Sequence, residues 1–226
     1  MPITRGMLPE VLPAGSALGK ISAAAAIETG IPEGLTLIAS GSDKACEVLG
    51  TGCTDARTGS LSYGSLATIN IASDKYLEAI PFYPAYPGVV PGTFNVEMMV
   101  QRGYWMVSWF KQEFGLHETQ QGTEQKVSPE SLFDQLLAKV PAGSDGLMLQ
   151  PYWSPSNGDG PETRGAIIGF TESHTRAHLY RAMIEGITYA LRESKELLEK
   201  RSGKSITRLV VSGGGCLLYT SPSPRD

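Results

Sequence analysis

One carboxylate stands where it could do chemistry. Asp43 follows the turn Gly41-Ser42 at the end of the apolar run Leu35 to Ala39, and a short helical pattern leads on to Gly50 and Gly52. Leu, Ile and Thr suit a pleated, half-buried strand, and glycine punctuates its end. A carboxylate just past a strand's carboxyl end borders the crevice where open α/β sheets bind ligands, and there it can take a proton from a substrate hydroxyl. The same residue could instead cap the helix, satisfying free backbone N–H groups. Local pattern alone favours the cap.

Two glycine turns could meet a phosphate or nucleotide. Gly64-Ser65 interrupts a strand pattern and could offer N–H groups and a hydroxyl, or be a simple bend. Gly213-Gly214-Gly215 follows the strand pattern Leu209 to Ser212, and glycine lets backbone approach a nucleotide closely. In isolation each reads equally well as a plain loop. His174 and His178 have the i, i+4 spacing of helical metal ligands, but only Thr-Arg-Ala lies between them, so packing or capping is the better reading. Trp105 and Trp109 stand one helical turn apart; such a pair can stack on a sugar ring but more often packs in a core. Cys46 sits among apolar neighbours and reads as a small buried residue. No Gly-x-Ser-x-Gly elbow supports serine-hydrolase chemistry.

These residues need a framework of strands and helices to hold them. In Leu66 to Ile71 the residues Leu66, Thr68 and Asn70 alternate with Ala67, Ile69 and Ile71, the period of a strand, and Gly64-Ser65 marks a bend before it. The proline-bearing stretch Ile80 to Gly92 is a loop, as is Tyr152 to Arg164. Helices are predicted over Tyr104 to Phe114 and over Pro129 to Val140, the second with Ser128 as cap and proline at its first position. Gly146 to Gln150 is a short buried strand. The clearest helix runs from about Thr175 to Arg201: Ala177, Tyr180, Ile184, Ile187, Leu191 and Leu198 share one face, and Gly203 ends it. Strands alternating with helices imply a layered α/β domain.

The 226 residues carry a net charge of −4 and a hydrophobic fraction of 41%, those of an ordinary globular chain. A mild acid excess without a basic stripe argues against a nucleic-acid partner. No apolar run has the length of a membrane span and no signal peptide opens the sequence, so a cytoplasmic setting without a membrane partner is expected. Cys46, Cys53 and Cys216 show neither metal spacing nor the number a disulfide framework needs. The last residues, Cys216 to Asp226, break the pattern before them and resemble a translated sequencing adapter, so they are expected to be foreign to the fold. Met1 to Gly19, rich in Pro and Gly, reads as a connector without a strong element of its own.

Together these segments resemble the FGGY carbohydrate kinases, which share the actin-like, ribonuclease-H-like ATPase fold. Gly41-Ser42-Asp43-Lys44 with Gly50 and Gly52 resembles the segment holding the family's catalytic aspartate. Tyr63-Gly64-Ser65-Leu66-Ala67-Thr68 resembles its second phosphate-contacting turn, usually Gly-Thr-Ser-Ala. Arg164 to Phe170 and on through His178 to Glu185 fits the family's C-terminal signature, and Val211 to Gly215 resembles the adenosine-binding turn. The resemblance runs from Leu8 to Gly215, and Asp43 to Glu47 and Arg102 to Val107 point toward an uncharacterised sugar-kinase branch. There are departures: Leu66 stands where many members carry serine, Pro151 to Glu162 lacks the Gly-Glu-Arg-x-Pro wording, and the lobe with the Asp-x-Gly-Thr phosphate loop is missing.

The resemblance implies the C-terminal lobe of an ATP-dependent sugar kinase: a mixed sheet flanked by helices over residues 35–215, preceded over 1–34 by a connector and the tail of an N-terminal lobe. Asp43 would be the catalytic base and touch the substrate. Gly64 and Ser65 would contact phosphates, and Gly213, Gly214 and Gly215 would border the adenosine. ATP and Mg²⁺ are implied, with no metal ligand assigned to this chain. The partners would be a small sugar or polyol and the N-terminal lobe of the same protein, with a homo-oligomeric parent left open. The chain alone is expected to be inactive. Two rival readings stand beside this one: another actin-like ATPase of chaperone or activator type, and a non-catalytic binding module in which Asp43 is only a cap.

Overall fold

The computed structural model describes residues 3–154 and 160–214. Its elements, in chain order, are β1 (Ala17–Lys20), α1 (Ala23–Thr29), β2 (Thr36–Ile38), α2 (Asp43–Gly50), β3 (Thr58–Tyr63), β4 (Ala67–Ser73), β5 (Tyr86–Pro87), β6 (Phe94–Val100), α3 (Trp105–Phe114), α4 (Leu116–Gln125), α5 (Pro129–Leu137), β7 (Met148–Gln150), β8 (Ala166–Ile168), α6 (Arg176–Ser202) and β9 (Arg208–Ser212). The main sheet has the order β5-β6-β4-β3-β9. β3, β4, β6 and β5 pair antiparallel, while β9 returns parallel to β3, so the sheet is mixed. No helix among the described residues is long and apolar enough to cross a membrane.

Strand alternation gives this sheet two unlike faces. Ile69, Ile71, Val96 and Val100 belong to a core shared with Phe110 of α3, Phe133 of α5, and Tyr180, Met183 and Ile187 of α6. The rings of Phe110, Phe133 and Tyr180 meet at centroid distances of 4.8, 5.1 and 5.4 Å, in tilted and edge-on geometries that favour aromatic pairs. The other face is polar, yet it too is covered. Ser60, Ser62, Thr68, Asn70 and Asn95 are buried, and α2 lies on that side with Val48 packed against Cys53 and Ala72.

The predicted face of α6 is the one that packs, since every residue in it is buried or half-buried. A capping box between Thr175 and His178 starts the helix and Gly203 ends it. Arg176 fastens α6 to α4, donating to both carboxylate oxygens of Glu118 at 2.6 and 2.7 Å. Gly186 lies where α6 meets β7, and a Cβ there would stand 2.2 Å from the Leu149 carbonyl oxygen. Gly186→Val is therefore expected to force the helix away from β7 and to cost about 3 kcal/mol. Urea unfolding of the chain checks this; an unchanged midpoint would mean that the helix shifts without penalty.

The structure departs from the sequence reading in several places, and β7 is shorter than expected, with only Leu149 of its three residues buried. β2 is a strand as expected, but it pairs only with β1, in a ribbon separate from the main sheet. Leu35, Leu37 and Ile38 are each more than half exposed. Propensity specifies a strand but not its partner, so Asp43 follows a ribbon, not a strand of the open sheet. Within the stretch read as a featureless connector, Ala17–Lys20 is the other strand of that ribbon. Several elements had no reading at all, α1, α4, β6 and β8 among them, and β5 lies in the stretch read as a loop. α4 has no apolar stripe to reveal it, its buried positions being Glu118 and Gly122. β6 carries adjacent methionines, which blur its alternation.

Candidate active site

The turn before α2 decides what Asp43 is free to do. Ser42 caps the helix, its Oγ accepting the Ala45 N–H at 3.2 Å. Asp43 is the first helical residue and is exposed, its carboxylate accepting the N–H of Lys44 at 2.6 Å. The cap reading of Asp43 is thus corrected: a neighbouring serine does that work. A carboxylate at this position is also favoured by the positive end of the helix.

One turn further on, Glu47 ties α2 to the main sheet. It accepts the Ser212 hydroxyl at 2.6 Å and the Lys44 ammonium at 2.5 Å. Burial by itself would raise the Glu47 carboxyl, but hydrogen bonds from Lys44, Ser212 and Ser62 outweigh it and hold the group below its ordinary range. Glu47 therefore stays charged at neutral pH, and the helix bearing Asp43 is fixed to the carboxyl end of β9.

That same end carries the second glycine turn. β3 and β9 run parallel with Ser62 opposite Ser212, so Gly64-Ser65 and Gly213-Gly214 emerge side by side. Tyr63, Gly64, Ser65, Trp105 and Gly214 line a common cleft of about 320 Å³. Gly213 adopts φ 91°, and a Cβ there would come within 3.0 Å of the Tyr63 backbone, so glycine is needed for the two strand ends to lie this close. The Gly64 N–H donates to the Leu66 carbonyl at 3.1 Å and closes its own turn. This leaves the exposed Ser65 as the side-chain donor of the turn. Gly215 and the adapter-like segment from Cys216 to Asp226 lie outside the described residues.

The other candidates resolve into structural roles. Trp105 borders the cleft, with the Arg102 guanidinium 5.1 Å from its ring centroid. Trp109 packs edge-on against Trp153 at 4.5 Å. His178 Nδ1 accepts the Thr175 N–H at 3.1 Å and His174 Nδ1 the Thr171 N–H at 2.8 Å, so both rings serve the entry to α6. Cys53 is buried and donates its thiol to the Thr58 carbonyl at 2.9 Å, while Cys46 is half-buried.

A wider cavity of about 910 Å³ opens beside α2, with Ser42, Lys44, Tyr86 and Glu97 in its wall. Behind it runs a buried polar chain. Tyr86 donates its hydroxyl to Asn70 Oδ1 at 2.9 Å, and Asn70 Nδ2 donates to Glu97 Oε1 at 3.3 Å. Burial pushes the Tyr86 phenol far up, with the charges of Glu97, Glu47 and Asp43 adding to it. The alternation of Thr68 and Asn70 was legible in sequence; nothing there pointed to Glu97.

A mixed sheet flanked by helices, with two glycine turns meeting at one strand end, has the architecture of a lobe of the actin-like class. Residues 59–218 match the C-terminal domain of the FGGY family of carbohydrate kinases, and the chain belongs to that family. It is 30% identical over 215 residues to the uncharacterized sugar kinase YgcE of Escherichia coli, covering 94% of this chain and 43% of that protein. It shares 30% identity over 117 residues with the gluconokinase of Bacillus subtilis, covering 51% of this chain and 23% of that one. The crystal structure of xylulose kinase from Rhodospirillum rubrum superposes with a TM-score of 0.75 at 28% identity, over 95% of this chain and 42% of the other. The chain thus spans less than half the length of these relatives.

Proposed function

We propose that the protein carrying this chain transfers the γ-phosphoryl group of ATP to a hydroxyl of a sugar or polyol. The convergence at one strand end carries this reading. Gly64, Ser65 and Gly214 line one cleft, and the Glu47–Ser212 bond holds α2, with Asp43 at its start, against the strand that leads to Gly214. Phosphoryl transfer depends on positioning and charge stabilisation, and a rigid arrangement of this kind supplies the first.

ATP is the phosphoryl donor, and Mg²⁺ neutralises charge on its phosphates while asking for few protein ligands. In this reading Ser65 donates to a phosphate oxygen, and the small residues Gly213 and Gly214 let the nucleotide approach the backbone. Asp43 accepts the proton of the acceptor hydroxyl as its oxygen bonds to the γ-phosphorus and the bond to ADP breaks. The names of the relatives, xylulose kinase and gluconokinase, leave both a neutral ketose and a sugar acid as acceptors to test.

A coupled assay of ADP release against a panel of sugars, polyols and sugar acids tests the proposal. ADP release stimulated by at least one acceptor is expected. ATP hydrolysis indifferent to every acceptor would overturn the proposal and mark an actin-like ATPase of another kind.

A further inference from the structure

Resting on that reading, we propose that Glu97, braced by Asn70 beside Lys44, is the residue that selects the acceptor: the pocket next to Asp43 takes a neutral sugar or polyol and excludes sugar acids. Among the described residues lining the 910 Å³ cavity, Lys44 and Glu97 are the charged side chains. The Lys44 ammonium is already committed to Glu47 at 2.5 Å. Glu47 offsets the Lys44 charge, which weakens it as a receiver for a ligand carboxylate. A ligand hydroxyl, by contrast, can donate to the Glu97 carboxylate or to the Tyr86 oxygen, whose own proton is given to Asn70, and Asn70 holds both groups.

Glu97 itself reports how the site treats negative charge. Burial raises its carboxyl above the ordinary range, and the Asn70 hydrogen bond and the Lys44 charge offset only part of that, with Glu47 adding repulsion. A second carboxylate brought in by the ligand would meet the same desolvation and the same like charges. Selection of this kind is a repulsive device, which discriminates without tightening the favoured ligand.

The test is a comparison of kcat/KM in the protein carrying this chain, using matched probes: D-xylulose and xylitol against D-xylonate, and D-glucose and sorbitol against D-gluconate. The wild type should turn over the neutral member of a set better than the acid. Glu97→Gln keeps the shape and the hydrogen bond to Asn70 but removes the charge, and should lower the neutral-to-acid ratio about tenfold. Lys44→Met removes the cation and should raise that ratio. A merely structural defect would depress both probes together and leave the ratio in place. An acid preferred by the wild type, or a ratio unmoved by both variants, overturns this inference alone. No turnover with any probe overturns the kinase reading as well.

Discussion

Asp43→Asn is expected to lower kcat by about 10²–10⁴-fold in the protein carrying this chain, with ATP affinity essentially unchanged. The substitution keeps the size and hydrogen-bonding reach of the side chain and removes only its capacity to accept a proton. Because Ser42 and not Asp43 caps α2, the helix start should survive: the Ser42 Oγ bond to Ala45 does not involve the substituted group. The cleft proposed for the nucleotide should survive too, since the strand bordering it is anchored to α2 through Glu47 and Ser212. Steady-state kinetics paired with calorimetric ATP binding separates the outcomes. Turnover close to wild type would remove Asp43 from the chemistry, and a parallel collapse of ATP binding would make it a structural residue.

The second large effect concerns stability. Glu118 is 4% exposed, and the Arg176 guanidinium grips both its oxygens while also reaching the Phe114 carbonyl at 3.0 Å. Arg176→Met would leave a buried carboxylate without its partner, at a cost of about 3 kcal/mol, the low end of the range because Arg176 is itself partly exposed. A pH dependence follows. Burial would raise the Glu118 carboxyl, but the hydrogen bond and charge of Arg176 overcome this and hold it below its ordinary 4.5. The folded state therefore binds fewer protons there than the unfolded chain. The contribution of the pair is complete above about pH 4.5 and is lost as acid drives the pH down through the lowered native value. The gap in urea midpoint between wild type and Arg176→Met should be wide at neutral pH and narrow steadily in acid. A gap that is the same at both ends would assign the loss to packing of the arginine stem.

Local signals carried a good part of the fold. α6 was readable because its apolar residues fall on one face, and α5 because Ser128 and Pro129 form a standard helix entry, with Ser128 Oγ accepting the Ser131 N–H at 3.3 Å. The bend at Gly64-Ser65 separated β3 from β4 as expected. α4 escaped because its contribution is a buried ion pair, for which no periodicity exists. The partner of β2 escaped because pairing is a long-range choice.

For the candidate site the division is sharper. The sequence alone determined that an aspartate opens a helix after a Gly-Ser turn and that two glycine turns follow strands; short-range sterics and hydrogen bonding suffice for that. Only the tertiary structure decided that Ser42 takes the cap, that Glu47 and Ser212 meet across 165 residues, and that the polar face of β3, β4 and β6 is buried under α2. A period-two pattern states which side chains share a face, but not what covers it. That depends on strand order and on where a distant helix lands, and it is how a row of Ser, Thr and Asn that would pass for a solvated face comes to brace Glu97 beside the candidate base.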